Sequence, residues 1–165
     1  MAKPSRTGDA SPPDQPLCPS AQPDMNGATV FGVAGGTAGR RRVGYLTEPQ
    51  PVTAEILALA GPVKPTEVFR ISAACSGQAC KHFDGRDCHL AKRIVQSFDP
   101  VVSGLPPCRI RPTCRWWLQE GRAACLRCPQ VVTDTYDATE LQKAVADDGP
   151  RMPIMPAAET VGRTD

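Results

Sequence analysis

The feature that most constrains this chain is its concentration of cysteine. Seven of its eight cysteines fall in the middle third of the 165 residues, between Cys75 and Cys128. Aromatic side chains, which bury the largest areas in small cores, make up only 5% of the sequence. A domain with so few large apolar anchors commonly needs crosslinks to hold its fold. The cysteines can provide them, either as disulfides or as metal-bound thiolates.

The sequence context favours metal-bound thiolates. The first residues, MAKPSRTGDASPPDQP, contain no apolar run typical of a secretory signal peptide. No stretch of the sequence approaches the roughly 20 apolar residues that span a bilayer. We therefore predict a cytoplasmic protein with no membrane contact. Thiols stay reduced in the cytoplasm, where clustered cysteines bind metals or take part in redox chemistry more often than they form disulfides.

Proline and small polar residues dominate both ends of the chain. Residues 1–24 contain six prolines and a single large aliphatic side chain, Leu17, and the last residues are similar. Ordering such a segment costs about 1–2 kcal/mol per residue, which its little apolar surface cannot offset. We expect disordered tails at 1–24 and 148–165. Between them we expect one cysteine-rich domain at 25–147, with its metal-binding segment at 75–128.

Within this domain the sequence predicts a small, metal-stabilised α+β fold. Residues 28–33 and 43–46 read as short strands around a glycine-rich turn, which is typical of a β-hairpin. Another strand is predicted at 68–71. Capping residues and the 3.6-residue period of apolar side chains predict three or four short helices. These helices are expected to begin at Thr53, Asp87, Thr113 and near Asp137.

The cysteine spacing selects the candidate metal ligands. It runs C-x4-C-x7-C-H, then C-x5-C, then C-x2-C-P. In the last pattern the intervening turn can direct both sulfurs at one ion, which is why C-x2-C recurs in zinc and iron–sulfur sites. His89 is expected on the helix surface or behind a ligand. The candidate ligands are Cys75, Cys80, Cys88, Cys108, Cys114, Cys125 and Cys128, together with Cys18 from the proline-rich start.

The spacing leaves the identity of the metal open. Zinc ribbons place two close pairs about 12–20 residues apart, whereas this chain has one close pair. Cys128-Pro129 matches the end of the bacterial ferredoxin pattern, but the preceding cysteines of that pattern are missing, and the plant-type pattern fails as well. Uneven and wide spacing suits an iron–sulfur cluster better than a compact zinc knuckle. We therefore expect an iron–sulfur cluster, with zinc as the alternative.

Positive charge accompanies the cysteines. Residues 64–130 contain eleven Lys or Arg and five Asp or Glu, although the whole chain has a net charge of only +2. Nearby cations offset the negative charge of a thiolate-rich centre and lower thiol pKa values. The excess is modest and partly neutralised by thiolates, so we do not expect nucleic-acid binding. Trp116 and Trp117 are expected to place one ring in the core and one beside the metal site.

Several segments resemble a known group of proteins. They are LCPSAQPDM, VFGVAGGT, RVGYL, PTEVFR and above all CRIRPTCRWWLQEGRAACLRCPQVVTD. From Leu17 to about Asp134 the chain resembles small bacterial cysteine-rich proteins catalogued as nitrogen fixation proteins. The resemblance includes Cys18 and implies a link to nitrogenase or to its metallocluster supply. It implies no particular reaction and no ligand assignment, but it favours the iron–sulfur interpretation.

Three functions are consistent with these expectations. The first is a non-catalytic iron–sulfur protein, an electron carrier or a cluster-handling accessory, acting on a protein partner. The second is a structural zinc module that mediates protein or nucleic-acid binding. The third is a redox enzyme or sensor with paired cysteines, which ranks last because Cys125 and Cys128 follow a helix instead of preceding one. We therefore assign no catalytic residues.

Overall fold

The structure of the protein is a computed structural model, which describes residues 15–37 and 40–147. The predicted α+β fold class is confirmed, with one four-stranded sheet and several short helices. The strands are β1 (Leu17–Cys18), β2 (Thr29–Gly35), β3 (Arg42–Pro51) and β4 (Phe69–Ala74). The helices are α1 (Ala54–Ala58), α2 (Pro65–Val68), α3 (His89–Ser97), α4 (Arg115–Glu120), α5 (Arg122–Cys125) and α6 (Glu140–Ala146). Short 3₁₀ turns lie at Gly77–Ala79, Arg111–Thr113 and Cys128–Gln130.

The sheet has the strand order β1-β4-β2-β3, and each neighbouring pair is antiparallel. The hairpin predicted from the glycine-rich turn is formed by β2 and β3. A bulge between Val30 and Gly32 shifts the register of β2 against both neighbours. The strand predicted at 68–71 is β4, which lies inside the sheet between β1 and β2.

Strand β4 is buried on both faces, and its successive side chains point alternately into two different environments. Phe69, Ile71 and Ala73 pack in an apolar cluster with Val30, Ala28 and Ala60. The intervening Arg70 and Ser72 are directed to the opposite face and are also fully buried. A charged side chain is therefore placed in the interior by the strand period alone.

The opposite face of the sheet is covered by the helical half of the chain. Ala91 and Ile94 of α3 pack with Trp116 of α4 and Val145 of α6 over Phe31 of β2. Three cysteines of the metal-binding segment also pack against this cluster without belonging to its fully buried set. The cysteine-rich segment therefore forms part of this second apolar core.

Three helix starts differ from the sequence expectation by one or more residues. Cys88 and Cys114 occupy the N-cap positions of α3 and α4, which were expected to begin at Asp87 and Thr113. The cap of α6 is Thr139, whose hydroxyl accepts from the Gln142 N–H. Ends of helices depend on local hydrogen bonds that periodicity does not specify. The cysteine caps place two of the predicted ligands at the starts of α3 and α4.

The folded domain begins earlier than expected. Residues 15–24 were placed in a disordered tail, but Leu17 and Cys18 pair with Ala74 and Ala73 of β4. Ala21 is 1% exposed and its N–H donates to the Ile71 carbonyl. Backbone pairing with β4 and burial under its apolar face offset the ordering cost. The expectations for residues 1–14 and 148–165 lie outside the described residues.

No helix in the described parts of the chain has the length and apolar character that crossing a membrane requires.

Candidate metal centres

The eight cysteines are free thiols that separate into two groups of four. Cys18, Cys75, Cys80 and Cys88 line one cavity of about 490 Å³, which we call site N. Cys108, Cys114, Cys125 and Cys128 line a second, smaller cavity of about 20 Å³, which we call site C. No cysteine lines both cavities. Each group has the number of thiolates that binds a zinc ion or an iron–sulfur cluster.

Site N is assembled from the sheet edge and the loop before α3. Cys18 ends β1, and Cys75 follows β4 directly, with its N–H donating to the Pro16 carbonyl at 2.8 Å. The antiparallel pairing of β1 with β4 therefore brings together two cysteines that are far apart in the sequence. Cys80 follows the 3₁₀ turn, and Cys88 caps α3.

Two polar contacts fix the position of Cys88. Its N–H donates to Oε1 of Gln119 at 2.7 Å, and Nε2 of Gln119 donates to its carbonyl at 2.9 Å. Upstream, Asp84 accepts from the Asp87 N–H at 2.7 Å and pairs with Nε2 of His89 at the same distance. His89 therefore supports this loop through Asp84, and it does not line the cavity of site N. Its partner, Asp84, has a pKa below the usual range because of these hydrogen bonds.

Site C is built by the chain between the double proline and α5. Cys108 follows Pro107, Cys114 caps α4, Cys125 ends α5 and Cys128 opens the last 3₁₀ turn. Gly121, with φ of 63°, ends α4 in the left-handed region and lets α5 begin at once. This change of chain direction between α4 and α5 places Cys125 and Cys128 beside Cys108 and Cys114.

Backbone N–H groups at the start of α3 and of α4 favour a thiolate at one cysteine of each site. Those of Ala91 and Leu90 act to lower the pKa of Cys88, and those of Trp117 and Trp116 act to lower the pKa of Cys114. Helical N–H groups in the first turn have no partner within the helix. Hydrogen bonds from such groups would stabilise a bound thiolate and tune the metal it binds.

Burial raises the pKa values of five of the thiols. It raises the pKa of Cys18 to about 12 and that of Cys114 to about 12, although backbone N–H groups near them act in the opposite direction. Burial also raises the pKa values of Cys88, Cys108 and Cys125. The net effect is opposite to the lowering expected from neighbouring cations, because desolvation outweighs the charges. Such thiols are poor nucleophiles, and metal binding must displace their protons.

Several buried donors surround the sulfurs without a hydrogen-bond partner. Within the described residues these are the Tyr45 hydroxyl and the Nε–H groups of Arg111 and Arg115. Tyr45 and Arg111 line site C, and Arg115 lines site N. Burial and the neighbouring Cys128 raise the pKa of Tyr45, so its hydroxyl remains a donor. Unsatisfied buried donors are costly, and thiolate or sulfide acceptors would satisfy them.

The two sites meet at the centre of the molecule. Leu17, adjacent to Cys18 of site N, forms a parallel bridge with Cys114 of site C. The indole of Trp116 is 2% exposed and lines both cavities. The expectation that one ring of the tryptophan pair lies in the core is therefore confirmed for Trp116. Trp117 is half-buried, with the Arg111 guanidinium 5.6 Å from its ring centre.

Comparison with known proteins gave no relative. No family model, curated protein or solved structure matches this chain. The resemblance to the nitrogen fixation group therefore stays a prediction, and a functional proposal depends on the geometry of the two sites.

The eight residues predicted as ligands are divided between two cavities, a division that the sequence did not predict. All eight predicted ligands line one of the two cavities. Within the described residues, no three His, Cys, Asp or Glu side chains are arranged to hold a single metal ion. The thiolates of an iron–sulfur cluster bind different irons and lie further apart than the ligands of one shared ion. A single ion bound by three or more of these side chains would therefore need a rearrangement of its site.

Two residues near site C were not singled out from the sequence. Arg70 was part of a predicted strand, and Tyr45 was part of the predicted hairpin. Nε of Arg70 donates to the Pro19 carbonyl at 3.1 Å, and its Nη2 lies 3.5 Å from the Cys128 sulfur. A charged residue at an inward position of a strand is the signal that could have identified Arg70.

Proposed function

We propose that this protein is an electron carrier that holds two iron–sulfur clusters, one in each four-cysteine site. The observation that carries the proposal is the division of all eight cysteines into two complete sets of four around separate cavities. Disulfide chemistry or isolated buried cysteines would not require such a division. In each site the thiolates would bind the irons, and the cluster would supply reversible one-electron chemistry.

The surroundings of the sulfurs support a charged centre. The unpartnered donors of Tyr45, Arg111 and Arg115 would pair with thiolates or bridging sulfides. Arg111 lines site C, and its positive charge favours a thiolate at Cys125. These groups orient and neutralise the centre, but they do not bind a substrate.

The carrier role needs no catalytic side chain. An electron arrives from a one-electron donor protein and leaves to an acceptor protein, with no bond made or broken in this chain. Trp116 lines the wide cavity of site N on one side and the small cavity of site C on the other. An electron could therefore pass from one centre to the other within the molecule. A protein partner and a link to nitrogen fixation are parts of this proposal that rest on the carrier role and on the resemblance.

The decisive experiment is quantitative metal analysis of full-length protein made and purified without oxygen. We expect brown protein with equal amounts of iron and acid-labile sulfide. About eight irons per chain would indicate two [4Fe–4S] clusters and about four would indicate two [2Fe–2S] clusters. Reduction with dithionite should bleach the colour and produce an electron paramagnetic resonance signal. Colourless protein with about two zinc ions and no sulfide would contradict the proposal.

A second candidate concerns site C alone. Its cavity of about 20 Å³ offers room for about one water-sized group, far less than site N. A single zinc ion would need less rearrangement there than a cluster, and it would crosslink α4, α5 and the final 3₁₀ turn. In that case the same analysis would find one zinc ion per chain beside iron and sulfide from site N.

A further inference from the structure

Arg70 is a buried cation in the middle of the sheet. It is 0% exposed and its guanidinium lies between two rings, 5.3 Å from the centre of Phe31 and 5.5 Å from that of Trp116. Aromatic faces attract a cation, but they do not neutralise its charge. An isolated charge in such an interior is strongly destabilising unless an anion balances it.

The hydrogen bonds of Arg70 identify the available acceptors. Two of its nitrogens donate to the Pro19 carbonyl, and Nη1 donates to the carbonyls of Cys128 at 3.0 Å and Val131 at 2.7 Å. Nη2 also donates to the Cys128 sulfur at 3.5 Å. The carbonyls are neutral, so the sulfur is the one acceptor in this set that can become an anion.

No carboxylate balances this charge within the described residues. The ion pairs there are His89 with Asp84, Lys92 with Asp87, and Lys143 with Glu140, none of which involves Arg70. The described residues that line site C include no Asp or Glu. The guanidinium group of arginine stays protonated in proteins, so the side chain is charged. The balancing anion must therefore come from the thiolate centre of site C.

Site N has no equivalent of this arrangement among the described residues. Its cavity is lined by Arg115 and Lys81, but also by Asp134, and Lys81 is solvent-exposed. The Arg115 guanidinium lies over the Phe83 ring at 5.0 Å. Solvent around Lys81 and the carboxylate of Asp134 screen the cations of site N more effectively than the interior around the fully buried Arg70 does.

We propose that Arg70 is the fixed counter-charge of site C and makes the cluster there easier to reduce than the cluster in site N. This inference rests on the proposed function. Reduction adds one electron and no proton to the cluster, and the unscreened guanidinium stabilises the added negative charge. An electron supplied by a one-electron donor therefore comes to rest at site C, which lies behind Trp116.

The first test assigns the two potentials in otherwise intact protein. Full-length protein is titrated with dithionite against mediator dyes, and two one-electron steps are expected. Cys80→Ala, which removes a ligand of site N, should retain the step at the higher potential. Cys125→Ala, which removes a ligand of site C, should retain the step at the lower potential. Equal potentials, or the reverse assignment, would overturn the inference.

The second test removes the charge. Arg70→Gln should make site C at least tenfold harder to reduce, which is about 59 mV for one electron, and should leave the site N step unchanged. Arg70→Lys keeps the charge without the planar fork and should restore most of the shift. Arg41→Gln is the matched control, because Arg41 also donates to a backbone carbonyl, that of Glu67, and lines neither cavity. It should leave both potentials unchanged.

The outcomes separate this inference from the proposed function. Arg70→Gln protein with full iron and an unchanged site C potential would overturn the inference and leave the carrier role intact. Wild-type protein without iron and sulfide would overturn the carrier role itself. If Arg70→Gln does not fold, the titrations of Cys80→Ala and Cys125→Ala decide the matter.

Discussion

Site N and site C each have four cysteine thiols, but in different surroundings. Site N opens into a cavity of about 490 Å³ lined with polar as well as apolar side chains, between the sheet edge, α3 and α6. Site C has a much smaller cavity of about 20 Å³, is lined by Phe31, Tyr45 and Trp116, and lies against a buried guanidinium. The ligand set alone therefore does not determine what a thiolate centre can do, because solvent access, donors and nearby charge set its potential and exchange rate.

The largest expected effect concerns the independence of the two sites. Replacing one cysteine of a site by alanine should remove the metal of that site and leave the other site loaded. Cys75→Ala and Cys108→Ala should each retain about half of the bound metal, measured by elemental analysis of anaerobic protein. The double variant should retain none. If either single variant lost all of its metal while remaining folded, the division into two sites would be wrong.

Trp116 is shared by the two sites, so replacing it tests whether both depend on the same ring. Its ring is buried and lines both cavities, so Trp116→Ala should lower the free energy of unfolding by about 3–5 kcal/mol. It should also weaken metal retention at both sites, measured by denaturant unfolding and by iron release to a chelator. Trp117→Ala is the control, and its effect should be smaller because that ring is half-buried. A loss confined to one site would contradict the shared role of Trp116.

The pH dependence of the metal-free protein should reflect thiols in both sites. The folded-state pKa values of Cys18 and Cys114 are raised from 9.0 to about 12, so the folded chain holds these protons more tightly than the unfolded chain. Their contribution to stability is complete below about pH 9 and is lost as the pH rises toward 12. Denaturant unfolding under reducing conditions across this window measures the loss.

Metal-loaded protein provides the control for that pH series. Its thiols are already deprotonated when they bind metal, so the same loss of stability should be absent. Stability of the metal-free protein that stays constant or increases between pH 9 and 12 would contradict the burial of these thiols.

The smallest expected effect concerns the loop of site N. Asp84→Ala removes the acceptor for two backbone N–H groups and for His89, and should cost about 1 kcal/mol of stability. The pKa of the Asp84 carboxyl is lowered in the folded state. Its contribution to stability is therefore present at pH values above the ordinary pKa of aspartate, and it is lost as the pH falls through the acidic range. Metal release should accelerate at site N alone. The exposed Asp99→Ala is the control, and faster release at site C would contradict the assignment.

The sequence was sufficient for the local elements of the fold. Short strand-like segments around a glycine-rich turn predicted the β2–β3 hairpin, and residues 68–71 were predicted as the strand that is β4. Thr53 caps α1 as expected, and Gly121 ends α4. These features depend on contacts between residues close in sequence. The additional helices α2 and α5 were not predicted, because each is a single turn with no periodic signal.

The candidate site was predicted as a set of residues but not as an arrangement. Cys18 was included on a weaker basis than the other cysteines, and it proved to lie with Cys75 because β1 pairs with β4. Strand pairing over such a separation is decided by the whole sheet, and cysteine spacing carries no information about it. The pKa direction of the thiols was also misjudged, because burial depends on packing and not on neighbouring residues in the sequence.

The amino-acid sequence by itself determined that eight thiols, most of them in a basic segment, must organise a chain with few large apolar side chains. Only the tertiary structure decided that they form two sets of four, and that one set faces a wide cavity while the other lies against Arg70. The physical reason is that thiol chemistry belongs to the residue, whereas solvent access and counter-charge belong to the space that distant segments enclose together.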